Sequence, residues 1–189
     1  MKKRCAWGQS ESMIEYHDKE WGVPIHDDKK LFEFLILEGA QAGLSWRTIL
    51  KRRKGYKKAF DNFNVKKVAE FSEEKIEELI KNPKIIRNRL KIRAAVSNAK
   101  AFLEIQKEFG SFYKYSWRFV GGKQKINKFR KMSDIPAMTK ESDAFSKDLK
   151  ERGFKFVGST IMYAHMQAVG MVNDHVVDCF RYRQITNLS

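Results

Sequence analysis

The chain has 189 residues, 42% of them hydrophobic and 32% charged, which is enough apolar content for a sizeable core and excludes a disordered or low-complexity polypeptide. Two cysteines exclude a disulfide-stapled secreted scaffold. The net charge is +15, with a net +10 in residues 51–100 alone, which suits a polyanionic partner as well as a solubilising surface.

Helical periodicity dominates, and three prolines leave it largely uninterrupted. Asp27 to Gln41 opens on an Asp pair suited to an N-cap and continues with Leu31, Phe34, Leu35 and Glu38 at helical spacing. Ser45 can cap a second helix carrying Trp46, Ile49 and Leu50. Ser72-Glu73-Glu74 opens a third, closed by Asn82-Pro83. Ile85 to Phe109 reads as the longest helix, stopped by Gly110. Its Leu90, Ala94, Ala101 and Ile105 can face the core while Arg87, Arg89, Lys91 and Arg93 stay wet or contact phosphate. Ser142 to Arg152 and Gly158 to Val169 read as two helices joined by a short turn, and the last helical turns fall at Asn173 to Cys179. The fold expected is all-α, one domain over residues 1–189, with no repeat and no linker. No apolar run approaches the ~20 residues of a membrane span. Nor does an apolar stretch follow Met1-Lys2-Lys3-Arg4-Cys5, so a cytoplasmic protein without a signal peptide is expected.

Cys5, His17, His175 and Cys179 together offer two thiolates and two imidazoles. That is a complete tetrahedral zinc set with no position left for water, hence structural. His175 and Cys179, four apart, would share one face of a helical turn. The competing reading is two small buried hydrophobes and two hydrogen-bonded histidines, because the first pair lacks short zinc-finger spacing. His26 and His165 have no comparable partner and read as structural.

Three of the four tryptophans, Trp7, Trp21 and Trp46, fall with Tyr16 in the first 46 residues. Glu38 ends an otherwise apolar helix. A carboxylate there is either satisfied by hydrogen bonds or faces a pocket. Flat aromatic faces around one carboxylate would make a box for a flat cation, although each aromatic taken singly reads as core. The turn Gly153-Phe154-Lys155-Phe156-Val157-Gly158 leads into Ser159-Thr160. Two glycines allow a tight turn, and the following helix N-terminus would present N–H groups, with Lys155 beside them, to a phosphate.

Several segments together resemble one family, the bacterial 3-methyladenine DNA glycosylases I. They are Arg4-Cys5-Ala6-Trp7, Tyr16-His17-Asp18, Glu20 to Pro24, Lys29 to Glu33, Leu37 to Trp46, Arg152 to Gly158 and Val172 to Val177. The resemblance runs from Arg4 to about Cys179. It implies the all-α helix-hairpin-helix DNA glycosylase fold, with a structural Zn2+ on Cys5, His17, His175 and Cys179 joining the two ends of the chain. It implies a base pocket of Glu38, Tyr16 and Trp46, with Trp7 and Trp21 in matching segments. It also implies a hairpin of Gly153, Lys155, Gly158, Ser159 and Thr160 holding double-stranded alkylated DNA. Leu44, beside the pocket, is the expected wedge into the base stack.

Where many relatives in the wider superfamily carry a catalytic Asp, this chain has Asn173. Asp174, one residue on, is expected to be structural. The implied reaction is excision of cationic N3-methyladenine by a monomeric, monofunctional enzyme: Tyr16 and Trp46 sandwich the flipped base, Glu38 complements its charge, and water completes the hydrolysis. A non-enzymatic zinc-stabilised nucleic-acid-binding module and a zinc hydrolase are the competing readings.

Overall fold

The structure, a computed structural model, describes residues 2–188. Ten helices carry the fold: α1 (Glu11–Lys19), α2 (Asp28–Gln41), α3 (Trp46–Ala59), α4 (Val65–Ala69), α5 (Glu73–Lys81), α6 (Arg89–Phe109), α7 (Phe112–Trp117), α8 (Lys140–Glu151), α9 (Ser159–Ala168) and α10 (Phe180–Thr186). Side chains set the starts of many of them. Asp27, Ser45, Ser72, Asn88 and Ser111 each accept a hydrogen bond from the backbone N–H three residues on. Gly110, at φ 82°, ends α6 in the left-handed region.

Two expectations are corrected. The longest helix begins at Arg89, because Pro83 and the Asn82 side chain, which accepts from the Lys84 N–H, hold 82–88 as a turn that Asn88 then caps. Leu90 accordingly lies on the outer face, 68% exposed. The segment 173–179 is not helical: Val172–Asn173 pairs as a two-residue parallel strand with Lys125–Ile126, and helix resumes only at Phe180. Helices α1, α4, α7 and α10 were not expected, and α1 carries both Tyr16 and His17.

Helix α2 is the central element. Leu31, Phe32, Phe34, Leu35, Ile36, Leu37 and Glu38 are all buried, and α3, α6, α7 and α9 pack around it. Burial on this many sides explains why its apolar residues run almost without interruption. Asp28, at its start, accepts from the Phe112 and Tyr113 N–H groups and from Gln106, fixing α7 and α6 to the same end.

Helices α8 and α9 pack against each other across the segment 152–158. The Gly153 N–H bonds to the Lys150 carbonyl and the Phe154 N–H to the Leu149 carbonyl, closing α8 with Gly153 at φ 88° and with Phe154 and Leu149 buried together. Asn98 of α6 then clamps Lys155, accepting from its N–H at 2.8 Å and donating to its carbonyl at 2.9 Å. Ser146 donates to the Val157 carbonyl. The turn is thereby held by both α8 and α6. No described helix is long and apolar enough to cross a membrane.

Candidate active site

Two sites adjoin on the inner face of α1. In the first, Cys5, His17, His175 and Cys179 are all buried, and their donor atoms lie within 4.8 Å of one another. Cys179 Sγ is 3.5 Å from both His17 Nε2 and His175 Nδ1, and Cys5 Sγ is 3.6 Å from His175 Nδ1. These are close to the roughly 3.5 Å edges of a tetrahedron built on metal–N and metal–S bonds of about 2.0–2.3 Å. His175 and Cys179 converge through a tight turn, the Cys179 N–H bonding to the Val176 carbonyl, and not through a shared helix face.

The outward nitrogens of the two rings are occupied. His17 Nδ1 lies 2.7 Å from Asp18, which Arg4 grips with two nitrogens, and His175 Nε2 lies 3.1 Å from the Trp21 carbonyl. Such partners fix ring orientation and direct the remaining nitrogen at a metal. The residue against His17 must be small: a Cβ on Gly8 would come within 2.4 Å of the ring. This buried Cys2His2 group could hold a metal ion, and its donor set fits one.

The second site is a cleft of about 420 Å³ that opens beside the first. Tyr16 of α1, Glu38 and Gln41 of α2 and Trp46 of α3 form one side. Thr160, Tyr163, Ala164 and Gln167 of α9 form another, and Trp7, Met13 and Trp21 contribute the end toward the Cys2His2 group. Trp7 packs edge-on against both His17 (5.1 Å between ring centres) and Trp21 (4.9 Å), and Trp21 against His175 (4.6 Å). The two sites therefore share a wall of indoles.

Glu38 is 3% exposed and no described side chain pairs with it; burial alone pushes its carboxyl up to about 8. Tyr16 is raised well above its ordinary value, first by burial and then by Glu38. The Trp46 indole N–H is buried without a hydrogen bond of good geometry, although near enough to the Tyr16 hydroxyl to lower its pKa slightly. Among the described residues, Glu38 is the only carboxylate that lines the cleft, and no lysine lines it.

The Tyr16 and Trp46 rings meet each other at 5.5 Å and 50°. Faces that sandwich a planar base stand about 7 Å apart and parallel, two ring contacts of about 3.5 Å. The two rings are thus adjoining walls as they stand.

The rim follows from the end of α2. Lys91 Nζ donates to the Ala40 carbonyl at 3.0 Å and the Ala42 carbonyl at 2.5 Å, satisfying helix-terminal oxygens that would otherwise lack partners. Beyond this clamp the chain turns at Gly43, φ 79°, and leaves Leu44 41% exposed. Asp174 lies behind the cleft wall, fully buried, accepting from Tyr163 (2.6 Å), Gln167 (2.8 Å) and Asn127 (2.6 Å). Asn173 points away, donating to the Tyr182 carbonyl and Thr186.

Met132, Ile135, Pro136 and Ala137 also line the cleft and went unread in the sequence. The signal available was a short apolar run, Ile135 to Met138, standing alone in a strongly basic stretch. Gly153 closes α8, Lys155 and Gly158 lead into α9, and Ser159 and Thr160 begin it, with Thr160 reaching the cleft. Ser159 is bound to Ser142 and Asp143 of α8.

Known proteins resemble this chain over nearly its whole length. The chain is 50% identical to the DNA-3-methyladenine glycosylase 1 of Escherichia coli (strain K12) over 181 residues, 95% of this chain and 97% of that one. It superposes with a TM-score of 0.91 on a crystal structure of 3-methyladenine DNA glycosylase I at 49% identity, covering 94% of this chain and 98% of the other. The same score relates it to the Staphylococcus aureus 3-methyladenine DNA glycosylase I whose structure describes 3-methyladenine recognition, at 39% identity over 94% and 95%. With the family profile matching residues 6–182, nearly the whole described chain, the protein belongs to the methyladenine glycosylase family.

Proposed function

We propose that this protein is a DNA-3-methyladenine glycosylase, which flips an N3-alkylated adenine out of duplex DNA and hydrolyses its N-glycosidic bond. The observation that carries the reading is Glu38: a buried, unpaired carboxyl among aromatic walls. An unpaired buried acid is costly to fold, and a cationic base with an amino group supplies both the charge and the hydrogen bond that it lacks.

N3 methylation makes the adenine formally cationic, so the base leaves neutral and little acid catalysis is needed. Glu38 accepts from the base and selects its charge; neutral adenine can still donate its amino hydrogen but loses the charge term. Trp46 and Tyr16 meet the ring as two adjoining aromatic walls, and Trp7 and Trp21 close the end. The sugar passes through an oxocarbenium-like state that water captures. The absence of lysine from the cleft lining supports a monofunctional enzyme with no covalent step. Asp174, committed to three donors behind Tyr163 and Gln167, positions that wall.

Cys5, His17, His175 and Cys179 hold a structural zinc ion, which, fully coordinated, supplies cross-linking and no bond-breaking chemistry. The α8–α9 connection serves as the helix-hairpin-helix clamp. Exposed Lys155 and the uncapped N–H groups of α9 beyond Gly158 meet phosphate, while Leu44 props open the stack. The whole chain acts as one domain with the cleft between its helical halves.

Chromatography of bases released from alkylated duplex DNA tests the proposal. Free 3-methyladenine from the parent, and none from a folded Glu38→Ala variant that keeps its metal, is the expected result. No released base from folded, metal-loaded parent would overturn it.

A further inference from the structure

The basic excess of residues 51–100 is distributed unevenly in space. On α6, Arg89 and Arg93 are neutralised by Glu77 and Glu73 of α5, and Lys91 turns inward to the end of α2. Other cations of the block have no ion-pair partner among the described residues, and four of them gather in one place. Lys51, Arg52 and Lys54 of α3 face Lys84 across an open notch of about 480 Å³, completed by Thr48 and Gly55. None of the four cations forms an ion pair with a described residue, and no described carboxylate lines the notch.

The notch is built by specific contacts. A Cβ on Gly55 would lie 2.3 Å from the Lys84 carbonyl oxygen, so only glycine lets the 82–88 turn lie against α3. Arg52 donates to the Pro83 carbonyl at 2.6 Å, and the Tyr56 hydroxyl accepts from the Ile86 N–H. These contacts bring Lys84 to α3 although like charges there repel, a cost that an anion in the notch offsets.

Its placement identifies the anion. Trp46, the first residue of α3, lines the base cleft, and Lys54 lies eight residues along the same helix, about 12 Å away. That is the axial rise of three to four nucleotides. The α8–α9 turn leads into the opposite, α9, side of the cleft.

We propose that this notch is a second DNA-backbone site, binding phosphodiesters of the duplex beyond the Leu44 loop through Lys51, Lys54 and Lys84. It rests on the glycosylase reading for its polyanion but is tested separately from it. Arg52 is a positioning residue, because its guanidinium holds the turn.

The experiment measures binding of a short undamaged duplex against salt for the parent, a Lys51→Gln/Lys54→Gln/Lys84→Gln variant and the corresponding Lys→Arg variant. The thermal midpoint and binding of free 3-methyladenine are followed alongside. Each lost phosphate contact lowers the log–log salt slope by about 0.9, so the Gln variant is expected to bind with a slope shallower by roughly 2 to 3. Its midpoint and free-base binding should be unchanged, and the Arg variant should keep the parental slope. A parental slope in a folded Gln variant would overturn the proposal and leave an acidic protein as the occupant to test. An equal loss in the Arg variant would overturn it too, since charge would then not be the cause. Base release by the parent is scored in parallel: if it fails while the slopes still separate, the notch stands as a nucleic-acid site and only the glycosylase reading falls.

Discussion

At the Cys2His2 centre each histidine nitrogen that faces away from the ligand cluster has a partner, Asp18 for His17 and the Trp21 carbonyl for His175, and the donors already stand at near-tetrahedral separations. On the other side of Trp7 and Trp21, no described side chain forms a hydrogen bond or ion pair with Glu38. Both regions are buried and both hold ionisable groups. One is satisfied internally and brings residues 5 and 17 against 175 and 179. The other turns a carboxyl with no side-chain partner toward an open cleft, and on the proposed reading that carboxyl selects a cationic base.

Disrupting each region in turn should separate their roles. The largest effect is expected at the metal centre. Cys179→Ser, or chelation of the parent, should destabilise the fold by more than about 4 kcal/mol, a fall in thermal midpoint of roughly 10 °C, with base binding lost as a consequence. A variant that loses metal yet keeps its midpoint would show that the centre is not a structural cross-link.

Glu38→Gln should do the opposite. Base release should fall roughly 100-fold, about 2.7 kcal/mol, while the metal stays bound. The variant should be more stable than the parent at pH 8. The sign follows from burial. Near pH 4 Glu38 is neutral in folded and unfolded chains; between about 4.5 and 8 only the unfolded chain ionises, so parental stability falls as pH rises through that window. The loss is a few kcal/mol at roughly 1.4 kcal/mol per pKa unit, and Glu38→Gln should abolish it. Denaturant titrations of both proteins at pH 5 and pH 8 check this.

A cationic base needs Glu38 ionised, so affinity for a duplex containing 3-methyladenine should rise with pH up to about 8 and then level off. A flat profile would mean that Glu38 does not meet the charge. The smallest effect is expected at the rim. Lys91→Met frees the end of α2 and the Leu44 loop, and should slow excision from duplex DNA several-fold more than from single-stranded DNA, with free-base binding unchanged. Equal slowing on both substrates would remove the loop from strand opening.

The readable parts of the fold were those set by local chemistry. Capping side chains at Asp27, Ser45 and Ser72, and Gly110 at the end of α6, mark helix ends because each satisfies backbone groups within one turn. The α8–α9 turn was legible for the same reason. Local signals failed where long-range pairing decided. Residues 173–179 lie extended because Val172–Asn173 pairs with Lys125–Ile126, almost fifty residues away in sequence, and because His175 must meet Trp21. Leu90 faces outward because Asn88 caps α6 just before it.

The sequence by itself determined the residue types of both sites, the helical class and the excess of positive charge, since composition and short-range periodicity carry these directly. Only the tertiary structure decided which polar groups were left without partners. Arg89 and Arg93 are neutralised while Lys51, Lys54 and Lys84 are not, and His17 and His175 are held while Glu38 is not. Whether a buried or crowded charge is satisfied depends on atoms brought close from distant parts of the chain, and spacing along the chain does not encode that distance.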